Sequence, residues 1–262
     1  MPFIETANGT LHYQLEGPAG APVLVLSNSL GTELAMWDTQ MPAFINELQV
    51  LRYDTRGHGR SEVSEGFYSI EQLGQDVLAL LDALHIERAS FCGLSMGGLI
   101  GQWLGINAGQ RIDKLVLCNT AAKIANDEVW NGRIETVLKG REQAMRELRD
   151  GSVARWFTPD YAAANPQTVE RITRMLETTS PEGYAANCAA VRDADFRGQL
   201  ESITAPTLII TGSADEVTTT EHGRAMQASI ADAELVEFEA AHLSNVQAGD
   251  TFTEAVLAFI RK

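Results

Sequence analysis

No apolar run in this chain comes near the ~20 residues that a membrane-spanning helix requires, so no membrane partner is expected. The first residues, Met1-Pro2-Phe3-Ile4-Glu5, lack a basic region followed by a long apolar stretch. That pattern speaks against a secretory leader and for a cytoplasmic protein. Positive charge is also scarce. Lys and Arg total 20 against 35 Asp and Glu, a formal net charge of −15. Nucleic acid is therefore not an expected partner, because phosphate binding draws on clustered cations. Cysteine is sparse as well. Cys92, Cys118 and Cys188 are odd in number and show no metal-ligand spacing. Buried, reduced thiols are the expectation, and no metal site.

What is present suits one large α/β domain, or one domain carrying an insertion. The chain has 262 residues, 45 % hydrophobic and 21 % charged. Continuous apolar or alternating runs predict strands at 10–15, 23–27, 48–53, 89–92, 114–118, 207–211 and 234–238. Ser69, with Gln72 three residues on, has capping-box spacing, and Leu73, Val77, Leu80, Leu81 and Leu84 follow at helical intervals. Further helices are expected from near Gly98 to about Asn107, over 220–230 and over 251–260. Between Thr120 and Val191 strand-like alternation stops. The pattern there is helical and amphipathic, broken at Gly140, Gly151, Pro159, Pro166 and Pro181.

This order implies an α/β fold, a mostly parallel sheet with helices on both faces. Residues 1–120 and 191–262 form the core, and 121–190 a helical cap. The cap stretch carries a net charge of −1 and the remainder −14. Active groups in such sheets gather at the C-terminal ends of the strands.

Gly93-Leu94-Ser95-Met96-Gly97 joins a predicted strand to a predicted helix. A Gly-x-Ser-x-Gly turn in that setting is a nucleophile elbow. It exposes the serine on a sharp turn and aims helix N-terminal N–H groups at the same place. A serine needs a base, and the base needs an orienting carboxylate, in the chain order Ser, acid, His. Of the five histidines, His12, His58 and His85 precede Ser95, and His222 lies in a predicted helix. His242 follows the last strand and is the candidate base. Asp215 follows the strand at 207–211 and is the candidate acid. The expected oxyanion donors are the backbone N–H groups of Met96 and Leu30. The loop Asp54-Thr55-Arg56-Gly57-His58-Gly59-Arg60-Ser61 is read as structural. Trp37, Trp130 and Trp156 are open between packing and pocket roles. Arg133, one turn after Trp130, is either a solvated arginine or a clamp for a substrate carboxylate.

With these loops placed, the chain resembles the α/β-hydrolase superfamily over its whole length. Within it, the chain is similar to the 3-oxoadipate enol-lactonase family. The narrower resemblance rests on Leu26-Ser27-Asn28-Ser29-Leu30-Gly31 with Met36-Trp37-Asp38, on 53–61, on 92–98, on Arg155-Trp156-Phe157-Thr158 and on Ala241-His242-Leu243-Ser244-Asn245. Many relatives carry His-Gly in the first of these loops, where this chain has Ser29. The acid loop, Ala214 to Thr220, lacks the proline that usually follows its threonine, so a local loop change is expected there.

The resemblance implies a serine esterase acting on a small anionic lactone, 3-oxoadipate enol-lactone, in bacterial aromatic-compound degradation. It implies neither metal nor organic cofactor. Substrate-binding candidates are Ser29, Trp130, Arg133 and Trp156. A homo-oligomer is left open. The rival readings are a general carboxylesterase or cofactor-free perhydrolase on the same scaffold, and a non-catalytic small-molecule receptor.

Overall fold

The computed structural model describes residues 2–6 and 9–262. Eight strands form one sheet: β1 (Phe3–Thr6), β2 (Gly9–Glu16), β3 (Val23–Ser27), β4 (Gln49–Tyr53), β5 (Ala89–Leu94), β6 (Ile112–Cys118), β7 (Thr207–Gly212) and β8 (Ala233–Phe238). Their spatial order is β1-β2-β4-β3-β5-β6-β7-β8. β1 and β2 pair antiparallel, as do β2 and β4; every other pair is parallel. Parallel strands need crossovers, and covering helices bury both faces. Accordingly β5 and β7 are buried along their whole length, whereas β8, at one edge, is only half covered.

The short α1 (Met41–Phe44) follows β3, and α2 (Ile70–Ala83) crosses from β4 to β5. Ser69 Oγ accepts the Gln72 N–H at 3.1 Å and caps α2, whose Leu73, Val77, Leu80 and Leu81 are buried. α3 (Met96–Asn107) is apolar on all sides and buried over Met96–Gly105, as befits a helix sandwiched in the core. It starts at Met96 rather than near Gly98, because the elbow turn passes directly into the first helical turn.

Four helices lie between β6 and β7: α4 (Asp127–Trp156), α5 (Pro159–Ala164), α6 (Pro166–Thr178) and α7 (Pro181–Asp193). Three of the four carry Pro at their first turn, where a missing N–H costs nothing. Gly140 does mark a break: the next residue, Arg141, leaves helical geometry at φ 53°, ψ −135°. Gly151 does not. Gly inside a helix costs about 1 kcal/mol against Ala, and the buried neighbours Ala144, Met145, Ser152 and Trp156 offset it. α7 runs to Asp193, three residues past the expected end of the helical stretch. Phe196 N–H donates to Ala122 O at 2.9 Å and draws the two ends of the segment together. The sequence pattern does not mark β1, α1 or the one-turn α9 (Ser244–Gln247), which are too short to show a period. α8 (Thr220–Ser229) and α10 (Gly249–Ile260) complete the chain.

One apolar core runs from the sheet into the inserted helices, joining Leu26, Phe91 and Leu117 with Ile134, Val137, Ile172 and Leu176. Each such side chain contributes roughly 1.5–3 kcal/mol on burial. Sheet register then decides which loops meet. Ser27 lies beside Gly93, Leu94 beside Cys118, Cys118 beside Ile210, and Gly212 beside Phe238. The segments leaving β3, β5, β6, β7 and β8 therefore emerge side by side at one edge. No helix is long and apolar enough to cross a membrane among the described residues.

Candidate active site

Ser95 sits between β5 and α3 at φ 58°, ψ −110°, a conformation that L-residues rarely adopt. The flanking glycines make the turn feasible. A Cβ on Gly93 would lie 2.1 Å from Gly97 O, and one on Gly97 would lie 2.3 Å from Ser27 O. Neither atom can move, since both are backbone. Ser95 N–H donates to Cys118 O at 2.9 Å and Thr120 Oγ1 donates to Ser95 O at 2.9 Å, so the strained turn is held from β6.

Asp215 and His242 are brought together from β7 and β8. His242 Nδ1 and Asp215 Oδ2 are 2.8 Å apart, both residues buried. Asp215 Oδ1 accepts the N–H groups of Val217 (2.8 Å) and Thr218 (3.0 Å). Oδ2 also accepts Thr218 Oγ1 (2.8 Å) and Asn119 Nδ2 (3.0 Å). Burial opposes ionisation of Asp215, but the His242 charge and these hydrogen bonds outweigh it. They hold the carboxyl well below the usual range. Asn119 cannot be an acid, yet it positions one. Its own geometry is special (φ 42°), and its Oδ1 accepts Ser244 Oγ from the segment after His242.

Ser95 and His242 line one small cavity. No hydrogen bond joins Ser95 Oγ to His242 among the described residues, a looseness common in unliganded sites. Leu30 borders the same cavity. The N–H groups of Leu30 and Met96 have no protein acceptor among the described residues, whereas those of Ser29, Gly31 and Gly97 are all used. Two such N–H groups therefore lie on either side of the site, on the segments that follow β3 and β5.

Ser29, Trp130, Arg133 and Trp156 also line this cavity. Trp130 Nε1 donates to Ile124 O at 2.8 Å, and the Arg133 guanidinium lies 5.1 Å from the Trp130 ring centre. Arg133 is thus turned inward, not solvated at the surface. Trp37 is in the core, its Nε1 on Asn28 Oδ1 at 3.1 Å. Arg155 and Tyr184 are cavity residues that the sequence reading did not single out. Arg155 precedes Trp156 on the last turn of α4, and that adjacency was the available signal. Burial, and then the charge of Arg133, push the Arg155 pKa down. Neither arginine has a carboxylate partner among the described residues. Arg155 Nη2 donates to Ser152 Oγ at 3.2 Å, so the two cations share the cavity with neutral partners.

The end of α4 is bound to the histidine segment. His242 N–H donates to Arg155 O and Leu243 N–H to Trp156 O, at 3.3 and 3.1 Å. Gln247 reinforces this, taking Thr158 N–H (3.1 Å) and Ala241 N–H (3.2 Å) on its Oε1. Thr219 caps α8 with His222.

A serine on a strained strand–helix turn and a buried histidine–aspartate pair at adjoining strand ends, beside inserted helices, are the arrangement of an α/β hydrolase. Residues 22–248 match the family model for the alpha/beta hydrolase fold, and the chain belongs to that family. Within it, the chain is similar to 3-oxoadipate enol-lactonase 2 of Acinetobacter baylyi, 44 % identical over 96 % of this chain and 93 % of the relative. 3-Oxoadipate enol-lactonase 1 of the same organism is 42 % identical over the same shares. The crystal structure of the enol-lactonase from Burkholderia xenovorans LB400 superposes with a TM-score of 0.97, at 44 % identity and full coverage of both chains.

Proposed function

We propose that the protein is a carboxylic ester hydrolase that opens 3-oxoadipate enol-lactone to 3-oxoadipate, with Ser95, His242 and Asp215 as its catalytic residues. The observation that carries this reading is one cavity bordered by a strained serine, a carboxylate-backed imidazole, Leu30 and two arginines that have no carboxylate partner among the described residues. The names of the relatives supply the substrate.

His242 takes the Ser95 proton as Oγ attacks the lactone carbonyl, and the N–H groups of Leu30 and Met96 stabilise the resulting oxyanion. Collapse breaks the ring C–O bond. The enol oxygen leaves, is protonated from His242 and tautomerises to the ketone, while the opened chain stays esterified to Ser95. His242 then deprotonates water, which attacks the ester and releases the second carboxylate. Asp215 orients the imidazole and stabilises its charged form. Helices α4–α7 act as a cap over this chemistry.

Arg133, assisted by Arg155, holds the carboxylate of the substrate. Long-range steering of an anion to a −15 protein is unfavourable, so this attraction has to be local. Trp130, Trp156 and Ser29 shape the rest of the pocket.

The test follows loss of enol-lactone absorbance, with Ser95→Ala as control, beside turnover of a neutral p-nitrophenyl ester. Arg133→Ala is expected to raise KM for the anionic lactone by about 10- to 100-fold, the worth of one buried charge-assisted contact, and to leave the neutral ester unchanged. Equal effects on both substrates defeat the clamp. Turnover of the neutral ester alone would instead identify a general carboxylesterase.

A further inference from the structure

The loop that carries Leu30 is fastened on both sides of that residue. Ser29 N–H donates to Met36 Sδ at 3.4 Å, and Gly31 N–H donates to His58 Nε2 at 2.9 Å. His58 is 1 % exposed. Its Nδ1 lies 3.4 Å from Arg56 O and 3.4 Å from Asn187 Nδ2, on α7. Asn187 Nδ2 in turn donates to Arg56 O and to Gly183 O, each at 2.8 Å. Gly57 and Gly183 touch backbone to backbone: a Cβ on Gly57 would lie 2.8 Å from Gly183 Cα. The imidazole thus stands where the oxyanion loop, the 54–61 loop and the inserted helices meet.

An imidazole accepts at Nε2 only when that nitrogen is bare, with the proton on Nδ1, here toward Arg56 O. Burial pushes the His58 pKa down to about 4, against smaller opposing effects of Arg56 O and Asp54, so the ring is neutral at pH 7. Gly31 N–H has no other acceptor among the described residues. If Gly31 N–H loses this acceptor, the peptide that follows Leu30 is released.

We infer that His58 is a positioning residue for the oxyanion hole: its Nε2 fixes the Gly31 peptide, and through it the direction of Leu30 N–H, and Asn187 couples this latch to α7. The inference rests on the reading of Ser95 as nucleophile given above. His58 does not border the cavity that holds Ser95, so it acts on stabilisation of the tetrahedral intermediate and not on substrate binding.

Gln carries its amide oxygen as many bonds from Cβ as Nε2, whereas Asn is one bond short. His58→Asn is expected to lower kcat about 30-fold with KM within about twofold, part of the loss that follows removal of a whole donor. Inhibition by phenylboronic acid, which forms a tetrahedral adduct on an active serine, should weaken in parallel. His58→Gln should restore most of both, and thermal melting checks that each variant is folded. Should His58→Asn not fold, Asn187→Leu serves in its place, with about a threefold loss of kcat at constant KM, the worth of one neutral hydrogen bond. Equal kcat in the Asn and Gln variants, undiminished boronate inhibition in His58→Asn, or an unchanged Asn187→Leu enzyme overturns the inference. Turnover surviving in Ser95→Ala would instead sink the nucleophile reading itself.

Discussion

Two histidine–aspartate pairs lie buried in this molecule, and by distance alone they are near twins. His242 Nδ1 stands 2.8 Å from Asp215 Oδ2, and His12 Nδ1 stands 2.6 Å from Asp54 Oδ2. Their surroundings differ. Asp215 is fed by donors from its own loop and from Asn119, and His242 borders a cavity that also holds Ser95. Asp54 accepts Leu34 N–H and Arg60 N–H, ties that shape the loops after β3 and β4. His12 Nε2 is buried without a partner among the described residues, and its ring packs against Phe3 at 5.2 Å. An imidazole backed by a carboxylate is therefore not a site by itself. The chemistry proposed here also needs a hydroxyl on a strained turn, free N–H donors and a cavity, and these accompany only one of the pairs.

The sharpest way to break this contrast is to remove the hydroxyl. Ser95→Ala is expected to cut kcat by about 10⁴-fold or more, read as lactone turnover. Asp215→Asn should approach the same loss, about 10⁴-fold, because it strands the His242 tautomer. Asp54→Asn should leave kcat within about threefold, yet cost about 3 kcal/mol of stability by urea titration, since it breaks a buried pair. Comparable turnover losses in the two Asp→Asn variants would erase the distinction.

A third histidine sharpens the comparison through pH. His58 titrates near 6.5 unfolded but at about 4 in the native protein. Between those values the unfolded chain binds the extra proton. The stability it contributes is thus full above about pH 6.5 and is lost as pH falls toward 4. From pH 7 to pH 5 the loss amounts to about 2 kcal/mol. Urea midpoints at both pH values should therefore fall less steeply in His58→Gln than in the parent. Asp215, whose carboxyl is held low, loses its contribution only in stronger acid, below the ordinary carboxylate range. A smaller effect is expected from Thr218→Val, which removes one donor to Asp215 Oδ2. It should cost about 1 kcal/mol in the transition state, roughly fivefold in kcat. Ser61→Ala, beside Asp54, should leave kcat unchanged.

Long apolar runs and glycine spacing were legible before any coordinates. β3, β5, β6 and β7, the Ser69 cap and the Gly-x-Ser-x-Gly turn are local patterns whose period or steric demand acts within a few residues. Pairing Ser95, Asp215 and His242 in advance relied on chain order. Other participants gave no local sign. Asn119 looked like a loop residue and His58 like part of a glycine-punctuated turn. Gly151 misled because packing overrode its low helix propensity.

By itself the sequence determined a strand–helix alternation, a helical stretch between the strands at 114–118 and 207–211, and a serine held by two obligatory glycines. Each depends on contacts between near neighbours along the chain. Tertiary structure alone decided which of two histidine–aspartate pairs borders a cavity, that Arg133 and Arg155 share it without a countercharge, and that His58 latches the Leu30 loop. Those facts depend on strand register, which pairs Leu115 with Thr207, and on how α4 and α7 settle over the sheet, which brings Asn187 to Arg56.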